Sequence, residues 1–361
     1  MTARDVRELG EAALAWVSAH RGAFELGDDA LAEHGDVNRT WKPLGELAQV
    51  CVSVRRHTEP TDPLHAAAAD LLAFAWHQTG QGSLFLELQR LEPFATYPLE
   101  IYAAFASAGL RHTGYEEAVA TVARTRGWQL TEQEPNRRLS VLNSLRRSGI
   151  PQRDDMGRAL SRTWLGGLPE PWTFERAAGY TLTHVVFHLT DWGLTPRNVP
   201  PRIDAYLRLW LPPWLDTCLD AGQWDLSCEL LAVAGSLPGP PDRPMLREAW
   251  AKLARAQDAS GAVPEIGAGT DTSTSTDTGS GTDSGTGSSS GSGSGSGSGR
   301  DGLPAAHDFI RCYHSTLMTA FAAVLTTHRL RASADDGVEP EKARAFEHAA
   351  HPGRGGRGVS R

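Results

Sequence analysis

The stretch from Glu175 to Gly193, ERAAGYTLTHVVFHLTDWG, constrains the fold more than any other part of this chain. It has helical length and mostly apolar filling, yet it carries His184, His188 and Asp191. At about 100° per residue, positions four and seven residues beyond His184 return to the same side. The three polar groups therefore share one narrow stripe, with Thr181 at its edge. Val185, Val186, Phe187 and Leu189 leave little of this helix fit for water. A helix that is apolar nearly all round, with one polar seam, belongs in a protein interior where the seam faces a cavity or polar partners.

The rest of the chain supplies the surroundings for such a helix. Helical periodicity dominates its 361 residues, and strand alternation is nearly absent. We read twelve helices. The first carries Val6, Leu9, Ala13, Trp16 and Val17 and ends near Gly22; the second spans 44–55, the third 63–78, and the fourth runs from Thr96 and Pro98 to Gly109. The fifth and sixth cover 115–126 and 136–147, and the seventh 154–164. The eighth is the opening stretch. The ninth starts at Pro201 and is interrupted at Pro212 and Pro213, where two backbone donors are lost. The tenth spans 223–236, the eleventh 243–257 and the twelfth 305–328.

Between the last two, residues 268–301 are almost entirely Gly, Ser, Thr and Asp. Such a segment buries too little apolar surface to offset its ordering cost, so we expect a disordered linker. A flexible coil of about 30 residues spans roughly 30 Å, enough to join neighbouring helices within one domain. The expected organisation is a single domain over 1–352, interrupted by this linker, and a loose Gly/Arg-rich tail over 353–361.

Six hairpins follow from twelve helices, and their even-numbered members share a pattern. Each is apolar over most of its circumference but keeps polar residues at helical spacing: Glu46, Gln49 and Ser53; Tyr97 and Glu100; Ser140 and Asn143; the His/Asp stripe; Asp225, Cys228 and Glu229; Arg311 and His314. Six inner helices inside six outer ones produce this alternation, whereas an extended solenoid needs no polar seam on buried helices. The expected fold is all-α, an (α/α)6 toroid.

Net charge is −8, and the basic residues are nearly all Arg, with Lys only at 42, 252 and 342. That balance gives no reason to expect nucleic acid as a partner. No apolar run reaches the roughly 18 residues of a membrane span. Cys51, Cys218, Cys228 and Cys312 are far apart and form no C-x-x-C pair, which suits a reduced, cytoplasmic protein.

Two stretches carry a resemblance. Gln257-Asp258-Ala259-Ser260-Gly261-Ala262-Val263-Pro264 resembles the glutamine-and-glycine hairpin turn of the terpenoid-cyclase and protein-prenyltransferase toroids. DFIRCYHSTLMTAFAA resembles the last inner helix of the prenyltransferase β-subunit, which implies a zinc-ligand role for His314. Trp224-Asp225-Leu226-Ser227-Cys228 is similar to the segment holding that family's zinc Asp and Cys, with the two one residue further apart. The resemblance thus implies an α/α toroid and a zinc set of Asp225, Cys228 and His314; the acidic cluster of terpene cyclases is missing. The whole chain also resembles an actinobacterial helical family of no established activity that carries the same H-x-x-x-H-x-x-D-W-G signature.

Several chemistries remain open for these residues. Histidines at i and i+4 reach one divalent metal, and a carboxylate one turn later adds an oxygen ligand. Equally, His184 and His188 are neutral core histidines that fix a ring of helices. Asp191 or Asp225 is a candidate general acid raised by burial, tuned by His184 or His188, and Asp191 is otherwise a helix cap. Cys228 is either a nucleophile with His314 as base or a small core residue. Glu100 is either catalytic or ion-paired to Arg137, Arg138 or Arg311. The leading expectation is an enzyme of specialised metabolism acting on a small molecule or peptide in the toroid cavity, by cyclisation, isomerisation or group transfer. The alternatives are a non-catalytic helical binding module and a glycoside-cleaving α/α barrel using Glu100 and Asp225.

Overall fold

A computed structural model describes residues 1–27, 30–31, 36–152, 154–267 and 306–335. The linker at 268–301 and the tail at 353–361 lie outside them. The described residues form fourteen α-helices and no strands. These are α1 (Ala3–Ala19), α2 (Trp41–Arg56), α3 (Pro63–Gln78), α4 (Ser83–Leu91), α5 (Tyr97–Ser107), α6 (Thr113–Ala123), α7 (Arg126–Leu130), α8 (Pro135–Arg147), α9 (Met156–Leu160), α10 (Arg176–Thr190), α11 (Pro201–Asp220), α12 (Trp224–Ser236), α13 (Arg243–Ala256) and α14 (Ala306–Asp335).

Local chemistry sets most of the ends. Thr2 and Asp5 form a capping box on α1, while Asp62 and Asp242 cap α3 and α13 just ahead of the prolines in their first turns. Three expectations need correction. The segment after Gly82 folds as α4, which buries Phe85 and Leu88. The expected seventh helix shrinks to the five residues of α9, followed by a short 3-10 turn at Leu165–Gly167. Pro212 and Pro213 do not interrupt α11. Ile203, Leu207 and Leu211 before them and Trp214, Leu215 and Cys218 after them are all buried, so tertiary packing on both sides outweighs the lost donors.

Six helices pack in series: α2 on α5, α5 on α8, α8 on α10, α10 on α12, α12 on α14, and α14 on α2. They are the helices with the most complete burial, and they correspond to the even-numbered set of the sequence. Of the other helices, α1 packs on α14, α3 on α2, α4 on α5, α9 on α8, α11 on α12, and α13 on α11 and α12. Close approach between α12 and α14 depends on Gly235, where a Cβ would fall 2.7 Å from that of Leu325.

The QDASGAVP turn ties α13 to this assembly. Gln257 Nε2 donates to the carbonyls of Leu9 (3.1 Å) and Gly261 (3.0 Å), and Asp258 Oδ1 accepts from the amides of Ser260 and Ala262. Gly261 sits at φ +95°, where a Cβ would meet the Ala12 carbonyl at 2.2 Å, so both conformation and space demand glycine. The chain then crosses α14 and α12: the Val263 amide donates to Thr316 Oγ1, the Glu265 amide to the Arg311 carbonyl, and the Asp225 amide to the Glu265 carbonyl.

Candidate functional site

Polar groups early in the serial helices meet at one end of the assembly, and groups near their C-termini meet at the other. At the first end, Asp225 and Glu229 lie one turn apart on α12, so both face the same way. Asp225 Oδ1 lies 2.7 Å from His314 Nδ1 of α14, and the Tyr180 hydroxyl of α10 donates to Oδ2 at 2.7 Å. With Nδ1 donating to Asp225, His314 turns Nε2 toward Glu46 Oε1 (3.6 Å) and Glu229 Oε1 (3.8 Å). His184 Nε2 stands 3.8 Å from that same Glu229 oxygen, while the Thr183 hydroxyl donates to Oε2. Glu229 is 1 % exposed, and Asp225, Glu229 and His314 bring one ligand atom each within 4.8 Å of one another.

The electrostatics follow from burial and neighbours. Burial alone would lower the His314 pKa, but the charges of Asp225, Glu46 and Glu229 and the bond to Asp225 raise it to about 10. Burial acts on Asp225 in the opposite sense and is likewise overcome, chiefly by His314, so its carboxyl falls below the usual range. The pair is therefore ionised near neutrality. Burial, then the Asp225 charge, pushes the Tyr180 phenol up, so it remains a donor. Glu265, which closes the cluster from the crossing segment, is raised by burial and by Asp225.

Basic groups dominate the second end. Asp191 ends α10 with φ +50°, and its carboxylate lies among Arg56 Nη1 (3.3 Å), Arg147 Nε (3.3 Å) and Arg146 Nη2 (3.8 Å). Arg147 is almost fully enclosed; it also donates to Gln49 Oε1 (2.5 Å) and Ser107 Oγ (2.9 Å), and Arg56 donates to the Ser107 carbonyl. Burial depresses the Arg147 pKa to about 10 against the pull of Asp191. Acid at helix N-termini and arginine at C-termini both complement the helix dipoles.

In the first turn of α5, Glu100 accepts from Arg137 (2.6 Å) and from the Ser140 hydroxyl (2.5 Å), Arg137 being one of the expected ion-pair partners. His188 stacks edge-on to Trp192, its ring centre 6.5 Å from that of His184. Burial, then His184, Arg137 and Arg147, drives its pKa well below the ordinary value, so it is neutral. The His/Asp stripe is thus divided: His184 belongs to the acidic end and Asp191 to the arginine end, because the left-handed turn at 191 carries the carboxylate away from the imidazoles. Cys228, although one turn from Asp225, points to α14 away from His314. Its buried thiol lies 3.2 Å from Thr319 Oγ1, and burial pushes its pKa up in the metal-free chain. Sequence reasoning passed over Glu46, Glu229, Tyr180, Arg56 and Arg147 as site residues. The i, i+4 spacing of Asp225 and Glu229 was the signal available for one of them.

Solvent reaches parts of these polar seams. The His184 side chain is 32 % exposed and that of Arg137 25 %, although Val185, Val186 and Val141 beside them are fully buried. Among the described residues, no helix is long and apolar enough to cross a membrane. No curated protein and no solved structure matches the chain. The model of a domain of unknown function, DUF6895, matches residues 10–324, which takes in both polar ends, and the chain belongs to that family.

Proposed function

We propose that this member of the DUF6895 family is an enzyme that acts on a small molecule or peptide within a hollow enclosed by an (α/α)6 toroid. The inner ring is α2, α5, α8, α10, α12 and α14, and the cyclic order of their packing supports it. The Gln257–Gly261 turn, with its glutamine bonded back to α1, supports a likeness to the terpenoid-cyclase and prenyltransferase toroids in fold.

One observation carries the catalytic reading: Tyr180, Asp225 and His314 form a hydrogen-bonded chain that ends at Nε2 between two carboxylates. In this reading His314 is the proton donor, Asp225 holds its ring and its charge, and Glu46 or Glu229 takes the proton from the substrate. Such a pair suits cyclisation, isomerisation or group transfer. The arginine end would hold a polar part of the substrate, and neutral His188 and Trp192 form an apolar wall between. Glu100, held by Arg137 and Ser140, is a positioning residue here and not half of a glycosidase pair.

A second reading, a non-catalytic binding module, is favoured by the closure of Asp191 on its own arginines. Incubating the protein with small-molecule extract of its producing cells separates the two. The enzyme reading predicts a compound consumed over many turnovers with a matching product, slowed roughly 100-fold or more by His314→Gln. Depletion that stops at one equivalent per chain, unaffected by His314→Gln, would overturn it.

A further inference from the structure

We propose that the acidic end is a binding site for one divalent cation of the zinc class, held by His184 Nε2, Glu229 Oε1, His314 Nε2 and Glu46 Oε1. It rests on the toroid of the reading above, since it needs four helices to present these atoms to one shared space. It replaces the proton-transfer roles given there, because an imidazole nitrogen or carboxylate oxygen bound to the metal neither donates nor takes a proton.

Three observations carry it. The first is spacing. A tetrahedral zinc with bonds of about 2.0–2.2 Å sets its ligand atoms about 3.3–3.6 Å apart. Glu229 Oε1 lies 3.8 Å from both imidazole Nε2 atoms, and Glu46 Oε1 lies 3.6 Å from that of His314. Each of these three separations is within a few tenths of an ångström of that range.

The second is an unanswered oxygen. Glu229 is 1 % exposed and its Oε2 accepts from Thr183, but Oε1 faces two imidazoles that both stand beyond hydrogen-bond reach. Glu46 Oε2 is also shut off from water, with the Tyr313 hydroxyl as the neighbouring donor. Buried carboxylate oxygens are costly without a donor or a cation, and three carboxylates surround His314 here.

The third is orientation. His314 gives Nδ1 to Asp225, which in turn is held by Tyr180, and this turns Nε2 toward Glu46 and Glu229. A carboxylate on the far nitrogen is the usual support of a metal-binding histidine. Asp225 is therefore the residue that fixes the ligand, and the set differs from Asp225, Cys228 and His314, since the Cys228 thiol points to Thr319.

The test is titration of the chelator-stripped, full-length chain with Co²⁺ and Zn²⁺, read by visible absorption and calorimetry. The site predicts one Co²⁺ per chain, with the ligand-field bands of a four-coordinate nitrogen/oxygen shell and no sulfur-to-cobalt charge transfer. Asp225→Asn lowers Zn²⁺ affinity roughly 10–100-fold, and Glu229→Gln and His184→Ala lower it at least as much. Cys228→Ser leaves it unchanged. Absence of saturable binding, affinity undiminished in both Glu229→Gln and His184→Ala, or a charge-transfer band lost in Cys228→Ser would overturn the site. Turnover by the stripped protein would overturn the metal role alone. Bound zinc in a protein that turns over nothing would sink the enzyme reading and leave the site standing.

Discussion

Asp191→Ala will destabilise the folded chain by about 3–5 kcal/mol, the cost of breaking a buried ion pair and leaving charge behind. Arg147 is 4 % exposed and lies between two further arginines, Arg56 and Arg146, which also face Asp191. Without the carboxylate, the enclosed Arg147 and the half-buried Arg56 keep only neutral acceptors, Gln49 Oε1, Ser107 Oγ and the Ser107 carbonyl, while Arg146 bonds Asn143 Oδ1 and reaches solvent. Ala also fits poorly at φ +50°, a conformation that Asp and Asn tolerate, which adds about 1–2 kcal/mol. Asp191→Asn separates the two effects, because it keeps the backbone preference and loses only the charge. Equilibrium denaturation should therefore rank wild type above Asn above Ala. Adding Arg147→Met to Asp191→Ala should recover part of the loss, because it removes the orphaned charge. A loss below about 1 kcal/mol for Asp191→Ala would mean that water screens this end.

The second large effect concerns Asp225 and pH. In metal-free protein the His314 pKa is raised from 6.5 to about 10, so its contribution to stability is complete below pH 6.5 and is lost as pH rises toward 10. Asp225 is shifted down, so its contribution is present above its unfolded value near 3.8 and is lost as pH falls through the folded one. Stability from this pair is therefore greatest between about pH 4 and 6.5 and declines by a few kcal/mol toward pH 10. Asp225→Ala should cost about 3–5 kcal/mol at pH 6, since it strands a charged imidazole and the Tyr180 hydroxyl. It should also flatten the alkaline slope. Denaturation midpoints of both proteins from pH 5 to 10 check this; parallel slopes would show that another group titrates.

The sequence made the helices legible because each has a wide apolar face and ordinary punctuation, such as Asp62-Pro63 or Gly149 after Arg147. The polar seams were legible for the same reason: Gln49, Glu100 and Asp225 interrupt helices that are otherwise fit for burial. Which seam residues meet was not, because one helix turn allows several choices. Cys228 and Glu229 both lie within one turn of Asp225, and only the packing of α14 decides that the thiol meets Thr319 while the carboxylate meets His314. Likewise, the stripe from His184 to Asp191 assumes a helix that continues, whereas α10 stops at Thr190 and the next residues, Asp191, Trp192 and Gly193, all have positive φ. The arginines of the second end read as ordinary basic residues near helix C-termini, where dipole and solvent both favour them. Nothing in their spacing announces that three converge on one carboxylate from α2 and α8.

The central claim is that the inner helices turn their polar seams onto one space that small solutes enter. The most direct measurement is thiol labelling of His184→Cys, in a Cys312→Ser background, with methyl methanethiosulfonate and intact-mass detection under native conditions. The account predicts prompt addition of one label at position 184, protection of that thiol when a substrate or a bulky group fills the hollow, and no reaction at Cys51 or Cys228. A residue 184 thiol that reacts only when the chain unfolds would contradict it.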